Sequence, residues 1–232
     1  MTDCDDQVAY HYSAYRPPLH QRILQEVLAG QRFRRGLDLG CGTGRSTLAL
    51  KNFCDEVCGV EPSREMLAHT QAQPGITFHS GSAEQTPFET NSFDVMTMAG
   101  CLFYTDQKKT AIELARIGRP GSLVVVYDFE IEMRHLMKSL CPDWEPVTGS
   151  YDHAARFNEP DLLKPGLACQ REESMDFSLQ ELVHLLLSEK ARFVALDCSE
   201  EALREQLVQA YRSLLPVRLF WSTYRVPHNA PG

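Results

Sequence analysis

Apolar positions along the first 130 residues alternate between a helical and a strand-like period. Leu19, Ile23, Leu24, Val27 and Leu28 recur at the spacing of one helix face, and Gly30 supplies a stop. Leu37 and Leu39 form the apolar part of a short buried strand, followed at once by glycines at alternate positions, Gly40, Gly42 and Gly44, and by a helix predicted to run to about Lys51. Further strands are predicted over 56–60, 76–79 and from the turn at Asn91-Ser92 to Met98. Ala111, Leu114, Ala115 and Ile117 predict a helix over 106–117, and 123–129 reads as the continuous apolar strand that a sheet covered on both faces requires. Strands alternating with helices in this way predict an α/β fold.

The second half is less regular. Residues 130–176 mix charges with prolines at 142, 146, 160 and 165 and hold no period, so they are read as an insertion. Arg134, His135, Trp144, Tyr151, His153 and Arg156 within it are raw material for a pocket. Leu179, Leu182, Val183, Leu186 and Leu187 restore a helical period, 193–196 is read as a strand, and Ser199 followed by Glu200 and Glu201 predicts a capped helix start. A last strand is predicted over 217–226, antiparallel at the edge of the sheet. At the other end, residues 10–18 are dense in aromatics and stopped by Pro17 and Pro18, which makes them an amino-terminal arm.

Composition narrows the classes of partner. With 232 residues, 43% of them hydrophobic, the chain suits one domain with a buried core. A net charge of −8 opposes tracking of a phosphate backbone, so no nucleic acid is expected. The first six residues are acidic, and the longest apolar run, Leu123 to Tyr127, is too short to span a bilayer; no membrane association is expected, and the location is expected to be cytoplasmic. Eight cysteines, at 4, 41, 54, 58, 101, 141, 169 and 198, include no pair with metal-ligand spacing, so no metal is expected. Cys54 and Cys58, four apart in a strand-like segment, point the same way and are read as core thiols.

The glycine turn is where a nucleotide would be held. A dinucleotide fingerprint would place its third glycine at position 45, where the chain has Arg45, and Asp38 would repel a pyrophosphate while attracting an ammonium. Asp38-x-Gly40-x-Gly42-x-Gly44, with Cys41 inside it, resembles the first motif of class I S-adenosylmethionine-dependent methyltransferases. Glu61 ends the second strand 23 residues after Asp38, where a doubly wound fold places an acid on ribose hydroxyls. The run Glu61-Pro62-Ser63-Arg64-Glu65-Met66-Leu67 resembles that family's next motif, with Ser63 a helix cap and Met66 an apolar wall near adenine. Gly81-Ser82-Ala83-Glu84 resembles its adenine loop, with Ser82 in place of the usual acid, and Ala99 closes the fourth strand. The pattern Tyr15-Arg16-Pro17 resembles the arm of methyltransferases akin to trans-aconitate methyltransferase, where it folds over the cofactor.

That resemblance implies a Rossmann-like, doubly wound, mostly parallel seven-stranded sheet with an antiparallel edge strand and helices on both faces. It further implies a single domain over 1–232: an arm or lid at 1–18, a cofactor-binding core at 19–129, an insertion near the substrate at 130–178 and completion of the sheet at 179–232. The expected activity is in-line transfer of the sulfonium methyl group of S-adenosylmethionine to a small molecule. The carboxylate that Arg16 would meet belongs either to the cofactor or to an acidic acceptor. Substrate candidates are Arg16, Tyr104, His135 and Tyr151; the loop after the fourth strand lacks the histidine common in related enzymes, so no catalytic residue is assigned. Two alternatives stay open: a non-catalytic sensor or partner subunit that binds the cofactor, and a nicotinamide-dependent oxidoreductase, which Arg45 and Asp38 oppose. Sequence does not address oligomeric state.

Overall fold

The computed structural model describes residues 7–8, 10–11, 14–15, 17–146, 149–211 and 214–228. In chain order the elements are α1 (Leu19–Val27), β1 (Phe33–Leu39), α2 (Arg45–Lys51), β2 (Cys54–Glu61), α3 (Arg64–Ala68), β3 (Ile76–Ser80), β4 (Phe93–Ala99), a 3₁₀ turn (Leu102–Tyr104), α4 (Gln107–Ile117), β5 (Gly118–Ile131), α5 (Arg134–Leu140), β6 (Lys164–Met175), α6 (Leu179–Leu187), α7 (Lys190–Leu196), α8 (Glu200–Ala210) and β7 (Leu215–Arg225). The strands form one seven-stranded sheet in the order β3-β2-β1-β4-β5-β7-β6. β1 pairs in parallel with β2 and β4, β2 with β3, and β4 with β5. The chain therefore reverses direction across the sheet between β1 and β4, and the crevice at the carboxyl ends of those strands is where open α/β sheets hold ligands.

β7 runs against β5. Gly121 N–H donates to Val226 O and Val226 N–H to Ser122 O, while Glu132 N–H donates to Pro216 O, so rising numbers on one strand meet falling numbers on the other. This is the antiparallel strand expected at the edge; it lies second from that edge, with β6 outside it. β6 falls inside the stretch read as an irregular insertion. Its first five residues are exposed and the rest are exposed or half-buried, with too few apolar side chains among them to show a period. The strand expected over 193–196 is instead the end of helix α7, in which Asp197 takes a left-handed conformation (φ 38°) and returns its N–H to Phe193 O. Four apolar residues do not distinguish a strand from one helical turn.

Packing divides the chain into two compact units: Pro18–Phe129 with Tyr151–Arg171 and Leu219–Gly232, and Met1–Pro17 with Glu130–Ser150 and Glu172–Arg218. In the first, Leu37, Leu39, Val60, Met96, Met98, Val124 and Val126 form the sheet's core, with Leu114 and Ile117 of α4 packed on it. Helix α1 packs against α2. In the second, α6 starts with a reciprocal cap: Ser178 Oγ accepts from Glu181 N–H, and the Glu181 carboxylate accepts from Ser178 N–H. Here too His11 Nδ1 lies 3.0 Å from His184 Nδ1, and the Tyr15 hydroxyl donates to Glu181, which docks these arm residues on α6. No helix among the described residues is long and apolar enough to cross a membrane.

Candidate active site

The site begins where β1 ends. Gly40, Gly42 and Gly44 all take positive φ (67°, 54° and 87°), a region closed to most side chains. Gly40 and Cys41 both donate their N–H to Val60 O, fixing the turn to the neighbouring strand. A Cβ on Gly40 would lie 2.7 Å from the Cys101 side chain. On Gly42 it would meet nothing nearer than the Met66 sulfur at 3.7 Å. The loop is thus packed on its Gly40 side and bounded only by a half-exposed thioether at Gly42.

Two carboxylates brace this loop. Asp38 has no exposed surface; its Oδ2 accepts from Ser46 Oγ (2.5 Å) and Thr47 Oγ1 (2.7 Å), and its Oδ1 from Thr97 Oγ1 (2.9 Å). Burial pushes its pKa up to about 6, against the pull of the three hydroxyls and with a further push from the charge of Glu61. Ser46 and Thr47 therefore serve Asp38; helix α2 has no side-chain cap, its capping position being Gly44. Glu61, 8% exposed, accepts from Gly42 N–H through Oε2 and from Ser63 N–H through Oε1, each at 3.0 Å. It clamps the glycine loop to the start of α3, and each oxygen keeps one further lone pair. Pro62 is exposed beside it, and Ser63 caps α3 by accepting from Met66 N–H.

The loop after β3 is held from below. Glu113 of α4 accepts from the N–H and hydroxyl of Thr86 and from Arg116, which also reaches Phe88 O. Ala83 is buried, and Ser82 donates to Glu84, whose carboxylate also accepts from Asp106 N–H. Ala99, at the end of β4, is half-buried.

A second group of side chains gathers at the carboxyl ends of β4 and β5. Asp128 Oδ2 accepts from the Tyr151 hydroxyl (2.8 Å) and meets His153 Nδ1 (2.7 Å), while Oδ1 accepts from Phe129 N–H. Tyr151 also donates to Gly100 O at 2.9 Å. Gly100 has φ 64°, and a Cβ there would stand 3.1 Å from Asp128 Oδ1. His153 stacks on Phe220 with ring centroids 5.6 Å apart. Phe103, Tyr104 and Tyr151 form a mutual aromatic cluster, and Tyr104 is 75% exposed. Cys101 joins the two groups: it follows Gly100, packs on Gly40, and donates its S–H to Leu39 O. A cavity bordered by His153, Phe220 and Trp221 measures ≈ 10 Å³, room for about one water.

Of the other residues singled out in the sequence, His135 is exposed on α5, in the unit that also holds Tyr15. Arg16 lies outside the described residues. Thr97, Gly100, Cys101 and Asp128 carry contacts at the site that sequence reading did not assign. Asp128 had a visible signal, an acid directly after the apolar run Leu123 to Tyr127. No group of three or more metal-ligating side chains occurs among the described residues.

Residues 37–126 match the family described as a methyltransferase domain. Over that stretch, somewhat under half of the chain, it is similar to methyltransferase domains. An uncharacterized methyltransferase of Mycobacterium tuberculosis is 35% identical over 120 residues, which are 49% of this chain and 49% of that one. The chain thus spans about half the length of the curated relatives it matches first. Among solved structures, a protein described as a type II methyltransferase from Anaeromyxobacter dehalogenans superposes with a TM-score of 0.66 at 21% identity, over 93% of this chain and all of that one. Phosphoethanolamine N-methyltransferase 2 of Haemonchus contortus, in complex with phosphomonomethylethanolamine and S-adenosylhomocysteine, does so with a TM-score of 0.53 at 19% identity, over 91% of this chain and 53% of its own. The methyltransferase domain begins inside β1 and ends at Val126 in β5, so it contains the glycine loop, Glu61 and the loop after β3, whereas the Tyr151 and His153 contacts to Asp128 lie beyond it.

Proposed function

We propose that this protein transfers the methyl group of S-adenosylmethionine to a small-molecule acceptor. One observation carries the reading: Gly42 offers a cradle that any Cβ would fill, directly beside a carboxylate, Glu61, that retains a lone pair on each oxygen. That pairing suits vicinal ribose hydroxyls, and each hydrogen bond to the charged acceptor is worth about 1.5–3 kcal/mol. Gly40, Cys41, Gly42 and Gly44 supply the loop, Asp38 places negative charge under it for an ammonium, and Pro62 and Met66 form the wall beyond Glu61. Ser82, Ala83 and Glu84 supply the next loop, and Ala99 the floor at the end of β4. When bound, the cofactor supplies an electrophilic methyl group on a positively charged sulfur. The chain's task is then to align an acceptor with it and to exclude water, for which ordered side chains contribute more than a strong base.

A small acceptor is favoured over nucleic acid by the net charge of −8. The seven described cysteines are all free thiols, which suits a reducing, cytoplasmic compartment. Thermal-shift measurements with S-adenosylhomocysteine and with NAD test the cofactor assignment, since a ligand that binds only the folded state raises its melting temperature. Stabilisation by S-adenosylhomocysteine alone is expected; stabilisation by NAD alone refutes the reading.

A further inference from the structure

We infer that the amino-terminal arm is held on the packed helices α6 and α8 by a one-way chain of hydrogen bonds through His11 and His184, which makes its docking a latch that acid opens. The inference does not depend on the methyl-transfer reading, and every group in it belongs to the unit that contains Met1–Pro17 and Glu172–Arg218. A guanidinium only donates, so Arg204 of α8 fixes the amide of Gln180 on α6: the oxygen accepts from Arg204, and the NH2 group is left to face His184 Nε2 at 2.8 Å. His184 Nε2 must then accept, which puts that ring's one proton on Nδ1. From there it is donated across 3.0 Å to His11 Nδ1. His11 in turn carries its proton on Nε2, the nitrogen that faces the Glu200 carboxylate at 3.8 Å. The chain leaves α8 at Arg204, crosses α6 and the arm, and returns to α8 one turn earlier, at Glu200.

Neither ring can take a second proton while this chain stands. A proton added to His11 Nδ1 meets the N–H of His184, and one added to His184 Nε2 meets the NH2 of Gln180. Turning the Gln180 amide over relieves the second clash only by aiming its NH2 at Arg204. Both rings are buried, so solvent does not supply the missing acceptors. Among the described residues, the other titratable or charged groups set around the pair are Tyr10 and Tyr15 on the arm, Glu181 on α6, and Glu200 and Arg204 on α8. Tyr10 sets its ring edge-on to both imidazoles, and Tyr15 donates its hydroxyl to Glu181 while its N–H returns to His11 O. Asp176, bonded to the Tyr211 hydroxyl, stands beside Glu181. Glu200 favours an imidazolium, but it faces the nitrogen that already carries a proton. Burial holds the pKa of His11 below its ordinary 6.5, with Glu200 opposing and His184 adding to the fall. Docking is therefore complete above pH 6.5 and weakens as pH falls below it, because a released His11 takes up a proton that the docked one refuses.

The test uses the full chain. Imidazole nitrogen NMR of the wild type at pH 7.5 is expected to show His184 as the Nδ1–H tautomer and His11 as the Nε2–H tautomer; the reverse for either ring overturns the inference. Hydrogen exchange mass spectrometry, normalised to the chemical exchange rate at each pH, follows the peptide that contains His11 and Tyr15. Its protection is expected to fall about tenfold between pH 7.5 and 5.5, while peptides from β1 and β4 keep theirs. Equal arm protection at both pH values, or a loss in the sheet as large as in the arm, overturns the latch. Arg204→Gln separates a one-way chain from a plain contact. A glutamine there can donate or accept, so the Gln180 amide is able to turn, receive a proton from His184 Nε2, and let the pair hold one extra proton beside Glu200. The variant should match wild-type arm protection within about twofold at pH 7.5 and retain it at pH 5.5. Arm docking as acid-labile as in wild type, or lost at pH 7.5 with the sheet still protected, overturns it.

Discussion

Replacing Asp38 by asparagine should make the protein more stable at neutral pH and worse at holding its cofactor. The carboxyl is fully buried, and burial lifts its pKa from 3.8 to about 6 even though three hydroxyls donate to it. Below pH 3.8 it is protonated in both folded and unfolded chains, and its contribution is fully present. As pH rises towards 6 the unfolded chain ionises while the folded one retains the proton, so this contribution is lost. A difference of about two units corresponds to about 3 kcal/mol lost by pH 7. Asparagine titrates nowhere in this range, keeps an acceptor oxygen, and presents an amide that Ser46, Thr47 or Thr97 can accept by rotating its hydroxyl. Urea melts of wild type and Asp38→Asn, followed by circular dichroism from pH 4 to 7.5, give the difference in unfolding free energy at each pH. Groups common to both proteins cancel, and wild-type stability relative to the variant should fall by about 3 kcal/mol across the range. A flat difference, or one that rises with pH, refutes the claim that this buried charge opposes folding. Calorimetry on the same proteins should show weaker binding of S-adenosylhomocysteine to Asp38→Asn.

Three further outcomes follow from the geometry. Gly40→Ala should cost about 3 kcal/mol in denaturant melts because its Cβ meets Cys101 at 2.7 Å on a left-handed backbone, whereas Gly42→Ala should cost about 1 kcal/mol yet weaken S-adenosylhomocysteine binding more than tenfold by calorimetry. Glu113→Gln should destabilise by about 2 kcal/mol at pH 7. Burial raises the Glu113 pKa, but hydrogen bonds from Arg116 and Thr86 outweigh it and hold the group below its ordinary 4.5, so the penalty of the variant should vanish as pH falls through that region. His11, kept below 6.5 by burial and by His184 against the opposing charge of Glu200, favours the fold only as a neutral ring; wild-type stability should decline as pH drops below 6.5, and His11→Gln should lack that component in melts between pH 5 and 7.

β1, β2, β4 and β5 were legible because each carries a run of buried residues next to glycine, proline or asparagine, and β3, of which only Ile76 is buried, because Gly75 and Gly81 bound it. β6 was not, because Lys164–Met175 is exposed along most of its length and starts beside a proline, so pairing with β7 rather than its own pattern makes it a strand. The glycine loop and Glu61 announced themselves by spacing. The partners of Asp38 did not: Thr97 is 59 residues away, and nothing local shows that Ser46 and Thr47 turn towards an acid instead of capping their helix. The dyad of Asp128 and His153 was hidden for a related reason. It joins the end of a core strand to a segment without period, and only the fold brings the two within 2.7 Å.

Cys41 and Cys101 flank the glycine loop, Cys41 within it and Cys101 against Gly40. Burial, reinforced by the negative charges of Asp38 and Glu61, raises both thiol pKa values far above the ordinary range, so neither sulfur exists as thiolate at physiological pH. A thiolate is the form that reacts with electrophiles. The proposed cofactor site would set an alkylating agent beside these two sulfurs, and burial, helped by the charge of the acids that brace the loop, keeps both in the unreactive thiol form.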